Sequence, residues 1–272
     1  MGIITNIRTI QSAFKEGQLI STKSELNHKL YDKLDSFYDS FRSVSYEGAS
    51  FAISQSSLAQ DGNLKLWESF KHETKGLHDC QIHVGLGWAL ASLNSNIEDH
   101  TSSFSPYMLS RVIDGYGYYY AIFKRRIAIR TAQIPDSINE KNKMSFDQGI
   151  GRALWYLSEG NHEKISHLIS IIPKNRHADL WRGVGIAFTY VGGVKTKEII
   201  DIQRLSGPYL NDFKVGVALA LHSRKKAGSN LQCSTLIGDK TLSNVPLIIE
   251  KISAFNSTDL YSTSIQTLKN FL

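Results

Sequence analysis

Arg152 stands in the run Asp147-Gln-Gly-Ile-Gly-Arg152-Ala-Leu-Trp155, among apolar and small residues with the look of a helix. A guanidinium there must find a counter-charge or reach a cavity, because an unpaired buried charge is very costly. Carboxylates recur at similar places: Asp114, Asp147 and Asp179 each precede a glycine-bearing stretch. Each could cap a helix start. Side by side on one rim of an array, they would instead offer acid/base groups. Arg152, Asp114 and Asp147 are therefore the candidate catalytic set, expected to converge on one site. The densest aromatic patch is Asp114-Gly-Tyr-Gly-Tyr-Tyr-Tyr120, whose tyrosines point several ways from one helix. Aromatics dominate cores, and a buried tyrosine still needs a hydroxyl partner. His83, Tyr116, Tyr119, Tyr120, Trp155, Trp181 and Tyr190 form the candidate ligand-binding set.

Other chemistries find no support. His78-x-Cys80-x-x-His83 with Asp79 matches no strong zinc spacing, so no metal is expected. There is no GxSxG, HExxH or P-loop pattern. A dinucleotide fingerprint needs a small residue at its sixth position, where this chain has Leu90, Leu154 and Phe188. No cofactor is expected.

Six segments share one signature, a glycine or pair of glycines in a helix-like stretch with a small residue close behind. Their lead glycines are Gly48, Gly85, Gly115, Gly149, Gly183 and Gly216, spaced 37, 30, 34, 34 and 33 residues apart. A period in the low thirties predicts an array of helical hairpins. Gly48 and Ala52, Gly85 and Ala89, Gly117 and Ala121, Gly149 and Ala153, Gly183 and Ala187, and Gly216 and Ala220 are each four apart. Small residues at that spacing share one helix face, which lets a neighbouring backbone approach or leaves room for a ligand. The reading is all-α: about six hairpins forming an α-solenoid or α/α superhelix. Residues 1–45 would be N-terminal helices packed on the array, 46–228 the repeats, and 229–272 a C-terminal cap with Leu247, Ile248 and Ile252 on one face. Thr22-x-x-Glu25 reads as a capping box opening a helix along Leu26, Leu30, Leu34, Phe37 and Phe41. The glycine helices are read from Asp147 to Ser158 and from Asp179 to Val191, and the polar stretch 131–145 as a loop.

Bulk properties bound the function. Apolar residues make up 42% of the 272, enough for a sizeable core, and charged residues 21%, which argues against disorder. There is no 18-residue apolar run and hence no expected membrane span. Two cysteines, Cys80 and Cys233, fit a reducing compartment, so a cytoplasmic location is expected. The net charge is +6, with basic clusters at Lys124-Arg125-Arg126, at Lys174 with Arg176, and at Arg224-Lys225-Lys226. No nucleic-acid motif accompanies them, so an acidic protein partner is the better use of that field.

The runs His83-x-Gly-x-Gly-Trp-Ala89, Asp114-Gly-Tyr-Gly117, Phe146-Asp-Gln-Gly-x-Gly-Arg-x-Leu-Trp155 and Asp179-Leu-Trp-x-Gly-Val-Gly-x-Ala187 resemble a bacterial family of unknown function. Its members are found in enediyne and related polyketide biosynthesis gene clusters. Tyr46-Glu-Gly-Ala49 and Ser223-Arg-x-x-Ala-Gly228 are similar too, so the resemblance covers about residues 40–240. One departure is that His often stands in the family pattern where this chain has Tyr119. The resemblance implies a role beside a polyketide synthase. On one reading, an aromatic pocket binds an apolar polyene and promotes its isomerisation or cyclisation. On the other, the array is a non-catalytic partner that holds an acyl carrier protein or the synthase.

Overall fold

Every glycine-bearing stretch forms a helix. The computed structural model describes residues 2–37, 40–229 and 261–272, with positions 247, 250 and 252. The helices are α1 (Ile3–Thr22), α2 (His28–Asp35), α3 (Arg42–Asp61), α4 (Lys65–Glu73), α5 (Asp79–Leu93), α6 (Glu98–Thr101) and α7 (Pro106–Phe123). After these come α8 (Lys143–Leu157), α9 (His162–Ile171), α10 (His177–Val191), α11 (Thr196–Ser206), α12 (Leu210–Lys226) and α13 (Tyr261–Phe271). There is no strand among the described residues. The protein is an all-α array.

Seven helices make an inner row in chain order: α1, α3, α5, α7, α8, α10 and α12. The short helices α2, α4, α6, α9 and α11 connect them and lie outside. Helices α3 and α5 run the same way. Ser43 meets His78 near the starts of α3 and α5 (2.9 Å), and Gln55 meets Ser92 near their ends (2.8 Å). The row curls back on itself. Ser223 of α12 donates to Gln81 of α5 (3.2 Å), and Asn6 of α1 donates to the Val191 carbonyl at the end of α10 (2.8 Å).

The glycines explain how the inner helices come so close. A Cβ built on any lead glycine would land on a carbonyl oxygen of the preceding inner helix. Gly48 meets Phe14, Gly85 meets Glu47, Gly115 meets Val84, Gly149 meets Asp114, Gly183 meets Gln148 and Gly216 meets Arg182. The second glycine, two residues on, does the same to the following helix: Gly87 to Val112, Gly117 to Phe146, Gly151 to Leu180 and Gly185 to Phe213. The α5–α7, α7–α8, α8–α10 and α10–α12 interfaces thus each hold a reciprocal pair of Cα–H···O=C contacts, together about 1 kcal/mol or more. Where the second glycine is lacking, α3 has Ser50, whose hydroxyl donates to the Ile82 carbonyl (2.5 Å) and accepts from Trp67 Nε1 (2.8 Å).

The structure corrects several expected boundaries. Asp114 lies in the middle of α7, which is capped by Ser105 accepting from the Met108 N–H (3.3 Å), and α8 begins four residues before Asp147. Neither aspartate caps a helix. Thr22 ends α1, and the expected continuous helix from Leu26 to Phe41 breaks at Ser36. Only Leu30 and Leu34 of that stripe are fully sealed in the core, and α2 starts from Asn27, which accepts from the Lys29 N–H (3.0 Å). The stretch 131–145 is a loop only as far as a 3-10 turn at Glu140–Asn142. Of the expected C-terminal face, Ile252 is buried and Leu247 exposed, while Ile248 lies outside the described residues.

Replacing Gly149 or Gly183 by alanine forces a methyl into a neighbouring backbone that cannot yield cheaply. Overpacking should outweigh the ~0.5–1 kcal/mol gain in helix propensity and leave a net loss of ~1–3 kcal/mol. Urea denaturation should show a lowered midpoint for each. An unchanged or raised midpoint would contradict the backbone-contact account.

Candidate functional site

The lead-glycine contacts fix a register. The residue before each lead glycine has its carbonyl against the next helix, and these residues are Glu47, Val84, Asp114, Gln148 and Arg182. The residue four further on shares its helix face: Phe51, Trp88, Tyr118, Arg152 and Ile186. Another turn on are Ile122, Tyr156 and Tyr190. These positions supply most of the interior, and polar chemistry concentrates in the middle of the row.

Asp114 of α7 is fully buried and forms an ion pair with Arg152 of α8. Its other oxygen accepts from Gln148 Nε2 (2.6 Å). The Gln148 carbonyl oxygen accepts in turn from Arg182 Nε of α10 (2.7 Å) and from the Tyr261 hydroxyl of α13 (2.8 Å). Arg182 is held at its other end by Asp179 (2.7 Å), and Tyr261 accepts from Arg111 Nη2 (3.0 Å). Four helices are tied by one chain of buried, paired polar groups. Such a chain fixes each side chain in one orientation. Burial works against the Arg152 charge, but Asp114 and Glu47 more than restore it, so the guanidinium stays charged.

At the Arg152 end the chain opens into a cavity of about 230 Å³. Its polar residues include Glu47, Arg152, Tyr118, Tyr156 and Tyr190, and Phe14, Trp88, Ile10, Val44 and Ile122 close it with apolar surface. Gln11 and Phe123 are exposed and stand at its mouth. Trp88 joins the aromatic wall, 4.9 Å from both Phe14 and Tyr118 and 5.9 Å from Phe123, ring centre to ring centre. The Arg152 guanidinium lies 5.0 Å over the Tyr118 ring, a cation–π contact that helps hold the charge in an aromatic setting. The Glu47 carboxyl has no hydrogen-bond partner among the described residues and lines the cavity. Burial pushes it up to about 7; the Arg152 charge pulls it down and Asp114 pushes it up. A carboxyl that titrates near neutrality in an apolar pocket is suited to giving and taking protons. Burial likewise raises Tyr118 and Tyr156, so both are neutral hydrogen-bonding groups.

The sequence-derived residues distribute unevenly. Arg152 and Asp114 come together as expected, and Tyr190 lines the cavity. Tyr119 packs on Trp88 (5.8 Å) and Phe123 (4.7 Å) beside it. Asp147 does not join them. It stands two residues before its lead glycine, one earlier than Asp114, and forms an ion pair with Arg176, which also donates to the Ala132 carbonyl (2.6 Å). His83 and Trp181 share that outward register. His83 packs between Trp67 (5.2 Å) and Phe104 (5.3 Å), with Nδ1 2.7 Å from the Asp79 carbonyl oxygen. Tyr116 stacks on Tyr120 (5.1 Å) and meets Ser137 (3.0 Å). Trp155 packs edge-on against Phe188 (5.3 Å), and Trp181 is buried. Of the twelve lining residues only Arg152 and Tyr190 are expected from the sequence; Glu47, Trp88, Tyr118, Tyr156 and Phe14 are among those that are not. The position just before the lead glycine, read across all six repeats, is the signal for Glu47.

A family profile described as protein of unknown function (DUF1702) matches residues 3–249. The chain belongs to the DUF1702 family. No curated protein and no solved structure matches it. In this DUF1702 protein two of the expected surface cations are internal. Arg176 holds Asp147, and Arg224 is buried and donates to the Tyr190 carbonyl (2.7 Å). Among the described residues no helix is long and apolar enough to cross a membrane.

The Glu47 proton is held more tightly in the folded than in the unfolded chain, whose value is near 4.5. Stability is therefore lost as pH rises from about 4.5 to about 7 and is flat above that. Glu47→Gln removes this cost. The variant should match wild type near pH 4 and melt higher at pH 8, by a few kcal/mol of stability. A melting-temperature difference that stays constant from pH 4 to pH 8 would contradict the assignment.

Proposed function

We propose that this DUF1702 protein is an enzyme that binds an unsaturated, largely apolar small molecule in the Trp88–Tyr118–Tyr156 cavity and rearranges it by proton transfer. Glu47 is the acid/base group, and Arg152, held by Asp114, is the fixed charge. The observation that carries this reading is a partnerless carboxyl beside a paired guanidinium in an aromatic enclosure. A purely structural core would seal or neutralise such a group. No nucleotide or metal enters the scheme.

The volume suits one ring or a short chain segment. A dry cavity of ~150 Å³ already takes a benzene-sized guest. A longer substrate would insert one end past Gln11 and Phe123 and leave the rest outside. The motif resemblance described above supports a polyketide-derived polyene as substrate, with isomerisation or cyclisation as the reaction. Holding the reacting atoms in place supplies much of the rate in such reactions. The carrier-docking reading is weakened by the inward commitment of Arg176 and Arg224.

A direct test is the binding of a short conjugated hydrocarbon, 1-phenyl-1,3-butadiene, followed by saturation-transfer NMR. Wild type should bind it saturably. Gln11→Trp, at an exposed position on the rim, should abolish binding at an unchanged melting temperature. Absence of saturable binding to wild type would refute the proposal.

A further inference from the structure

The cavity is not chemically neutral, and the way Arg152 is held says what it can receive. Arg152 gives Nη1 to Asp114, and its Nε is sealed in protein. Nη2 has no acceptor among the described residues and is not sealed, on a side chain nine-tenths buried that lines the cavity. The Glu47 carboxyl, 95% buried as a residue, is likewise open to the cavity and without a partner. Trp88, Phe14 and Ile122 have no oxygen to offer Nη2, and the cavity's own oxygens, on Glu47, Tyr118, Tyr156 and Tyr190, make no hydrogen bond to it. A buried donor left without an acceptor is costly, and more so when it is charged. A hydrocarbon alone would leave it so.

We propose that the substrate carries a carbonyl oxygen, that this oxygen takes the free Nη2 of Arg152, and that Glu47 moves a proton between carbons of the adjoining unsaturated chain. The inference deepens the enzyme reading and rests on it. The step balances without an oxidant or reductant. The Glu47 carboxylate removes a proton from the carbon between the carbonyl and an unconjugated double bond. The C–H electron pair becomes the C=C of a dienolate, and the carbonyl π pair moves onto the oxygen facing Arg152. The carboxylic acid then returns the proton to the far carbon, and the double bond ends in conjugation with the carbonyl. Negative charge develops on the oxygen only during the reaction, where a fixed guanidinium stabilises it most. Asp114, Gln148 and Tyr261 are positioning residues: they hold Arg152 in place and touch no substrate.

Two matched aromatic probes separate this inference from the broader reading. 2-Acetylnaphthalene and 2-isopropenylnaphthalene have nearly the same shape and differ by C=O against C=CH2. Wild type should bind the ketone at least ~10-fold tighter, and Arg152→Lys, checked for an unchanged fold by its melting curve, should lose most of that preference. Wild type should also convert cyclohex-3-en-1-one to cyclohex-2-en-1-one saturably, followed by ultraviolet absorbance, while Glu47→Gln slows it at least ~100-fold with the ketone still bound. Equal binding of the two naphthalenes would overturn the carbonyl inference and leave the apolar cavity standing. Ketone preference without conversion above the buffer rate would overturn the proton-transfer step. Binding of neither probe would bring down the underlying function as well.

Discussion

The contact between a glycine Cα and a facing backbone carbonyl is the constraint on which the rest of this structure depends. At ordinary interhelical distances of 8–10 Å, side chains lie between the helices and can adjust their register. Here the lead glycine of each inner helix admits a carbonyl from its neighbour, so backbone meets backbone with little left to adjust. The carbonyl belongs to the residue just before the preceding lead glycine. Its side chain direction is thereby fixed from α3 to α10. Glu47, Asp114, Gln148 and Arg182 are four such residues. The packing rule and the polar interior are two consequences of one arrangement.

That arrangement also explains how the protein tolerates so much buried charge. Asp114, Gln148, Arg152, Arg182 and Tyr261 are linked in one hydrogen-bonded chain, in which Arg152 is held through Nη1 while its Nε and Nη2 have no acceptor among the described residues. A pairing of this kind stays favourable only while its geometry is held, because breaking one partner leaves an uncompensated buried charge. The glycine contacts hold that geometry from the backbone side, and α13 adds a further hold through Tyr261. Glu47 is the exception in the series. It faces the cavity with no partner among the described residues, and there the structure gives up stability at neutral pH. Local departures from full satisfaction concentrate where function is carried.

Much of the architecture was legible in the sequence, since a repeat of glycines at 30–37 residues leaves few alternatives to stacked helical units. The Arg152–Asp114 pair was legible too, from the cost of burying a guanidinium. What misled the reading was register. Asp114 and Asp147 look equivalent as aspartates near glycines, yet one residue of offset is about 100° around a helix. Asp114 therefore faces inward and Asp147 turns toward Arg176. His83 and Trp181 share the Asp147 offset, which is why neither reaches the cavity. An acidic residue on a helix is usually a solvated one, and only alignment of the repeats on their lead glycines distinguishes Glu47. The closing of the row, α12 onto α5 and α1 onto α10, has no counterpart in local sequence.

If the glycine contacts position the interior groups, then disturbing one should be felt at the carboxyl it places. Gly85 presses on the Glu47 carbonyl. The measurement is the side-chain 13C titration of Glu47 by NMR, in wild type and in Gly85→Ala, below the melting transition of both. Wild type should titrate near 7, and in the variant the midpoint should fall toward the unburied value of about 4.5 as the helix is pushed away and water reaches the carboxyl. A destabilised but folded Gly85→Ala with an unshifted Glu47 titration would contradict the account.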